Sequence, residues 1–162
     1  MKKVFLIDGS SVLSTCFYGN VPKEYLKCKT DEEYNVILPK LLQTKDGLYT
    51  NGIYGFCKIL KKIEEKYNPE YLCVAWDLSR QTFRREFYSD YKANRSETRP
   101  ELSTQFKQLQ QLLEYVGIPS ISLEGYEADD IIGTLAEKYK NEAEVIILTK
   151  DQDSIQLVDE NV

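Results

Sequence analysis

Apolar residues fall along this chain in two rhythms. Unbroken runs occur at Val4-Phe5-Leu6-Ile7, at Tyr71-Leu72-Cys73-Val74-Ala75-Trp76 and at Val145-Ile146-Ile147-Leu148-Thr149. Between them lie longer stretches where apolar positions return every three or four residues. Short β-branched runs with polar borders predict strands buried on both faces, as in a parallel sheet. Residues 3–8 therefore predict a first strand, turning through Gly9-Ser10-Ser11 into a short helix that ends near Gly19. From Gly52 to Tyr67 the set Ile53, Phe56, Leu60, Ile63, Tyr67 recurs at 3-4-3-4 spacing, which predicts an amphipathic helix with a Lys/Glu outer face. Asn68-Pro69 closes it before the second strand. Pro100 opens a helix carrying Leu102, Phe106, Leu109, Leu113 and Val116 on one face, and Gly117 ends it. Residues 118–123 predict a short strand, 129–140 a helix on Ile131, Ile132, Leu135 and Tyr139, and 145–149 a fourth strand.

Two stretches keep neither rhythm. In residues 20–50, Asp31-Glu32-Glu33 starts a helix carrying Val36, Ile37, Leu41 and Leu42, but Pro39 interrupts it, giving a short helix, a break and a loop. Residues 79–99 fit neither period. No internal repeat or low-complexity tract appears. Strand–helix–strand alternation implies right-handed crossovers and an α/β fold, a three-layer α/β/α sandwich around a mostly parallel central sheet.

The charges change the picture because of where they fall. The apolar runs stop at Asp8, at Asp77 and at Lys150-Asp151-Gln152-Asp153, and Gly125-Tyr126-Glu127-Ala128-Asp129-Asp130 places a further acidic cluster at a helix start. In an open α/β sheet the carboxyl ends of the strands form the ligand-binding edge. Any one of these aspartates has an ordinary explanation as a turn or helix-capping residue, and acids at a helix start favour its dipole. As a set they are harder to explain that way. Seven carboxylates at one edge repel one another unless cations lie among them. Hard oxygen donors without imidazole or thiolate support point to magnesium or manganese. The adjacent pair Asp129-Asp130 and the alternating pair Asp151, Asp153 offer ligands for two ions a few ångströms apart.

Composition narrows the chemistry. The 162 residues suit one domain, and 42% hydrophobic with 29% charged residues is ordinary for a soluble globular protein. No apolar run approaches a membrane span, and Met-Lys-Lys leads straight into a strand instead of a signal peptide, so no membrane partner is expected. Cys16, Cys28, Cys57 and Cys73 have no C-x-x-C spacing. Cys57 and Cys73 sit within apolar patterns, so reduced core cysteines in a cytoplasmic protein are expected. The chain has no histidine, which excludes Ser-His-Asp and Cys-His triads, H-E-x-x-H zinc sites and any imidazole base. Net charge is −5, but the chain apart from the seven candidate acids carries +2 and does not oppose a polyanion.

Residues 80–99 hold six basic and three acidic side chains, with Phe83, Phe87, Tyr88 and Tyr91 interleaved. A solvated helix with inward aromatics would look this way. So would a segment that grips phosphates and stacks on bases, as single-stranded nucleic-acid sites do. Neither G-x-x-x-x-G-K-[ST] nor G-x-G-x-x-G occurs. Leu6-Ile7-Asp8-Gly9-Ser10 superficially suggests an aspartyl-phosphate phosphatase, but Leu6 stands where that chemistry wants its first aspartate.

Taken in order, L-I-D-G-S-S (6–11), N-G-I-Y-G-F (51–56), A-W-D (75–77), F-R-R-E-F-Y-S-D-Y-K-A-N-R (83–95), G-Y-E-A-D-D-I-I-G-T-L-A (125–136) and I-L-T-K-D-Q-D-S-I-Q-L (147–157) resemble the 5′-nuclease family. That group of PIN-like proteins includes the N-terminal 5′–3′ exonuclease domain of bacterial DNA polymerase I and the flap endonucleases. The resemblance implies that Asp8, Asp77, Glu127, Asp129, Asp130, Asp151 and Asp153 are metal-site and catalytic acids. It implies magnesium or manganese as cofactor, two ions in a complete domain. It further implies that Arg84, Tyr91, Lys92 and Arg95 belong to a helical arch, inserted after the second strand, through which a 5′ strand passes. Arg80 and Arg85 join them as expected nucleic-acid contacts.

There are departures. Ser14-Thr15 stands where many relatives carry Tyr-Arg, and residues 20–50 are longer than in the shorter relatives. The sequence stops at Asp159-Glu160-Asn161-Val162, before the stretch that in the family carries a helix–three-turn–helix DNA-binding motif. Residues 1–162 are thus expected to form the metal-binding first part of the domain, arch 79–99 included. The expected function is divalent-metal-dependent 5′–3′ exonuclease or 5′-flap endonuclease hydrolysis of DNA, with DNA bearing 5′ ends or flaps as partner and a polymerase domain in the same polypeptide. The rivals are a non-catalytic, structure-specific DNA-binding fragment and a PIN-type ribonuclease.

Overall fold

A computed structural model describes residues 1–78 and 98–162. Four strands, β1 (Lys2–Asp8), β2 (Tyr71–Trp76), β3 (Ser120–Ser122) and β4 (Ala143–Leu148), form one sheet in the order β3-β2-β1-β4, and every pairing is parallel. Five α-helices are described: α1 (Gly9–Gly19), α2 (Asp31–Ile37), α3 (Asn51–Tyr67), α4 (Pro100–Tyr115) and α5 (Ala128–Tyr139).

The two-residue period of a strand divides its side chains between two cores. Phe5 and Ile7 of β1, with Val74 and Trp76 of β2, face α1, α3 and α4. Val4, Leu6, Ala75 and Val145 face the opposite way and pack on Ala128, Ile131, Ile132 and Ala136 of α5. This is the expected three-layer α/β/α sandwich. Trp76 is buried between Phe56 and Phe106, with ring centroids 6.3 and 6.1 Å away, and its indole N–H donates to the Ser120 hydroxyl at 2.7 Å. Burying a ring of this size contributes about 2–3 kcal/mol, so this cluster is a main source of cohesion between β2, α3 and α4.

Close backbone approach sets how α1 sits. A Cβ on Gly9 would come within 2.7 Å of Val74 Cγ1 and 2.8 Å of the Trp76 ring, so only glycine lets the helix start rest against β2. A Cβ on Gly55 would meet Cys16 Cβ at 2.9 Å, which lets α3 lie close along α1.

Most sequence expectations match within a residue or two. The first helix begins at Gly9 itself, with no intervening turn, because Asp8 caps it directly. The fourth strand runs from Ala143 to Leu148, starting earlier than its apolar run suggests. Pro39 breaks α2 as expected, since the chain tightens into a 3-10 turn over Leu38–Lys40. In that region Ile37 and Leu41 are buried while Val36 and Leu42 are exposed, so only half of the anticipated apolar face reaches the core. All four cysteines are free. Cys16 is buried, while Cys57 and Cys73 are partly buried, Cys73 packing against the core beneath α5. Among the described residues no helix is long and apolar enough to cross a membrane. The expected arch, with Arg80, Arg84, Arg85, Tyr91, Lys92 and Arg95, lies outside the described residues except for its final positions.

Candidate active site

The strand order makes a switch point. After β1 the chain winds through β2 to β3 on one side, then crosses to β4 on the other side of β1. Connections leave in opposite directions there, opening a crevice at the carboxyl ends of β1 and β4. Register places the acids around it. Asp8 pairs with Ala75, two residues before Asp77, and Ile7 pairs with Leu148, one residue before Thr149 and three before Asp151.

The segments leaving β2 and β4 are each tied to the start of α1 by a hydroxyl. The Asp77 N–H donates to Ser10 Oγ at 3.2 Å, and the Lys150 N–H donates to Ser11 Oγ at 3.1 Å. Thr149 Oγ1 donates to Asp8 Oδ2 at 3.0 Å and accepts the Asp151 N–H at 3.0 Å. The other Asp8 oxygen accepts the Ser11 N–H at 2.9 Å, which makes Asp8 the N-cap of α1. Helix α5 is brought in by its first N–H, since Ala128 donates to Asp77 Oδ1 at 2.8 Å. At the same helix start the Glu127 N–H donates to Asp130 Oδ2 at 3.0 Å, and after β4 the Asp153 N–H donates to Asp151 Oδ1 at 3.0 Å.

Electrostatics single out Asp8, which is only 5% exposed. Burial pushes its carboxyl above the ordinary aspartate range. The hydrogen bonds from Ser11 and Thr149 oppose this, and the neighbouring Asp77 and Asp151 charges add to it. Among the described residues no cation pairs with Asp8, Asp77, Asp151 or Asp153.

The seven anticipated acids are therefore not equivalent. Asp77 and Asp151, from two other strand ends, both act on Asp8 with their charge. Glu127, Asp129 and Asp130 stand at the α5 start beside Asp77; Glu127 is buried, the other two partly so. Asp153 is exposed on the turn beyond β4. Among the described residues, no group of three carboxylates or thiols stands close enough together to hold an ion as it is. Sequence reasoning missed the hydroxyls of Ser10, Ser11 and Thr149. The available signal was that each sits within three residues of a candidate acid, but their bonding across strands depends on register.

A groove of about 580 Å³ runs along the outer edge of β4, lined among others by Ile147, Ile155 and Val158, and reaches Thr149 and Asp151 at the acidic end.

Comparison with known proteins agrees with this architecture. Residues 3–162 match the family model described as 5′-3′ exonuclease, N-terminal resolvase-like domain. DNA polymerase I of Bacillus caldotenax is 41% identical over 162 residues, covering 99% of this chain and 16% of that protein. The 5′-3′ exonuclease of Aquifex aeolicus (strain VF5) is 36% identical over 163 residues, covering all of this chain and 50% of that protein. The chain thus spans half or less of the length of these relatives. Among solved structures, T5 5′-exonuclease with bound zinc superposes with a TM-score of 0.63 at 17% identity, covering 99% of this chain and 54% of that one. A T5 flap endonuclease in a pseudo-enzyme-product complex with DNA and metal ions gives 0.59 at 16% identity, covering 99% and 53%. The parallel sheet, the acids at its switch point and the match across nearly the whole sequence make one conclusion: this chain belongs to the 5′-3′ exonuclease family, whose N-terminal resolvase-like domain it carries.

Proposed function

We propose that this chain takes part in divalent-metal-dependent hydrolysis of DNA phosphodiester bonds, as a 5′–3′ exonuclease or 5′-flap endonuclease. One observation carries the reading: strand ends β1, β2 and β4 deliver mutually repelling carboxylates to the sheet's switch point, with no described cation to offset Asp8, Asp77 or Asp151. The donor set fits a hard divalent cation, because it is all oxygen and includes neither imidazole nor a nearby thiol. Asp8, Asp77, Glu127, Asp129, Asp130, Asp151 and Asp153 are the residues that would hold the ions, with magnesium or manganese as the natural choice. When bound, such ions supply Lewis acidity that makes water a better nucleophile and offset charge on the leaving 3′ oxygen.

The chain's own groups do the rest. Asp8 and Asp77 present fixed carboxylates because their hydrogen bonds to Ser11, Thr149 and Ala128 limit rotation. Arg80, Arg84, Arg85, Lys92 and Arg95 would supply phosphate contacts and Tyr91 a stacking surface for the 5′ strand. The chain is similar both to DNA polymerase I and to a separate 5′-3′ exonuclease, so the partner is a polymerase either in the same polypeptide or apart from it.

The rival reading is a structure-specific DNA-binding module without turnover. A labelled 5′-flap DNA incubated with manganese separates the two. Cleavage that disappears with a chelator and in Asp77→Asn supports the nuclease. Flap binding without cleavage, at any metal concentration, supports the module. Preference for an RNA competitor would move the chain to the ribonuclease class.

A further inference from the structure

Thr149 joins a local turn bond to a long-range one across the sheet edge. It follows β4 and its single hydroxyl is used twice, as donor to Asp8 Oδ2 and as acceptor for the Asp151 N–H, both at 3.0 Å. A hydroxyl has one proton, so its donation is committed to the carboxylate. The Ser11 N–H holds the other Asp8 oxygen at 2.9 Å. Each Asp8 oxygen thus has one fixed partner from the chain, and rotation about its Cβ–Cγ bond is stopped from both sides. Lone pairs remain on both oxygens for a further partner. Asp151 is oriented by the same hydroxyl through its backbone, while its Oδ1 accepts the Asp153 N–H. β-branching restricts Thr149 at χ1, so the hydroxyl reaches both neighbours without a search among rotamers.

We propose that Thr149 is a positioning residue that holds Asp8 of β1 and Asp151 beyond β4 in one arrangement, so that both face the same divalent cation. This rests on the metal-dependent reading above. Partners in a second layer around metal ligands are typically worth 10–100-fold in affinity, because they fix ligand direction before the ion arrives. Thr149 touches no substrate and acts only through the two acids.

The test is manganese binding to the chain, measured by calorimetry beside thermal unfolding without metal. Thr149→Val keeps shape and removes the hydroxyl, and Thr149→Ser keeps the hydroxyl. Expected for Thr149→Val is a dissociation constant raised about tenfold in protein that is still folded. Expected for Thr149→Ser is recovery to within about threefold of wild type, because the hydroxyl returns without the methyl. A purely structural threonine would lower the melting temperature of Thr149→Val and leave manganese affinity unchanged, and that result overturns the proposal. If Thr149→Val does not fold, Thr149→Ala takes its place with the same two outcomes. Wild type binding manganese while both variants bind equally well sinks only the role of Thr149. Wild type failing to bind manganese sinks the metal reading and this proposal with it.

Discussion

Two polar regions of this molecule handle buried charge in opposite ways. Beneath the sheet, between α1, α3 and α4, every polar group named is answered by another from the chain. Gln105 accepts the N–H groups of Gly52 at 2.8 Å and Ile53 at 3.2 Å, and donates to Asn51 Oδ1 and to the Glu101 carbonyl. Asn51 in turn donates to the Phe17 carbonyl at 3.1 Å. Nearby, Glu101 is 4% exposed and accepts from the Tyr25 hydroxyl and from Arg99 Nε at 2.9 Å. Arg99 also pairs with Asp31 at 3.1 Å and lies over the Tyr34 ring, its guanidinium carbon 3.7 Å from the centroid. At the sheet's edge Asp8 is equally buried, but its charged neighbours are acids. A closed network rigidifies the fold, whereas a set of like charges stores repulsion that an external cation relieves. Burial alone therefore does not separate the two regions. The sign of the neighbouring charges does.

The closed network is most vulnerable at Glu101. Replacing it with alanine leaves Arg99 and the Tyr25 hydroxyl without their shared acceptor, and the expected cost is roughly 3 kcal/mol, read as a lower urea midpoint. A loss below about 1 kcal/mol would mean that water or Asp31 substitutes for Glu101 and that the network is open to outside partners. Gln105→Leu comes next, with an expected loss of about 2 kcal/mol, since it strips the α3 start of its acceptor and leaves Asn51 half-bonded. An unchanged midpoint would show that the α3 start is capped by something else.

A pH series sharpens the contrast without changing any packing. Burial works to raise the Glu101 carboxyl, but the hydrogen bonds from Tyr25 and Arg99 outweigh it and hold the group below the ordinary glutamate range. A lowered folded pKa means that the unfolded chain takes up the proton first. The contribution is complete above the ordinary carboxylate pKa and is lost as pH falls through the folded one. The stability difference between wild type and Glu101→Gln is thus expected to be about 1 kcal/mol at neutral pH and to close below about pH 4. A difference that stays constant across that range would remove charge from the explanation.

The smallest effect has the opposite sign. Asp77→Asn keeps an oxygen for the Ala128 N–H and removes one charge beside Asp8. Metal-free protein should gain about 0.5 kcal/mol, the scale of an exposed charge pair, while the rise in melting temperature produced by manganese shrinks. A metal-free loss of stability would show that Asp77 is a structural cap and not one of a repelling set.

Read from the chain alone, the layers and the acids were already visible. Continuous apolar runs require burial on both faces, and that requirement gives strands sandwiched between helices before any contact is known. The 3-4 spacing of Ile53, Phe56, Leu60, Ile63 and Tyr67 gives α3, and aspartates at the ends of three runs give an acidic edge, because strand ends in a parallel sheet point the same way. Strand order was not legible, since nothing in the runs says that β4 lies beside β1 and not beyond β3. That order decides that Thr149 meets Asp8 across 141 residues and that Ser11 meets Lys150. Helix packing in turn decides that Gln105, which shares the apolar face of α4 with Leu102 and Leu109, meets the start of α3, and that Glu101 meets Tyr25 from the segment before α3. Periodicity records which side of an element avoids solvent, because that is a local demand of the hydrophobic effect. Which two polar groups share a hydrogen bond is settled by register and layer packing, and those exist only once the whole chain has folded.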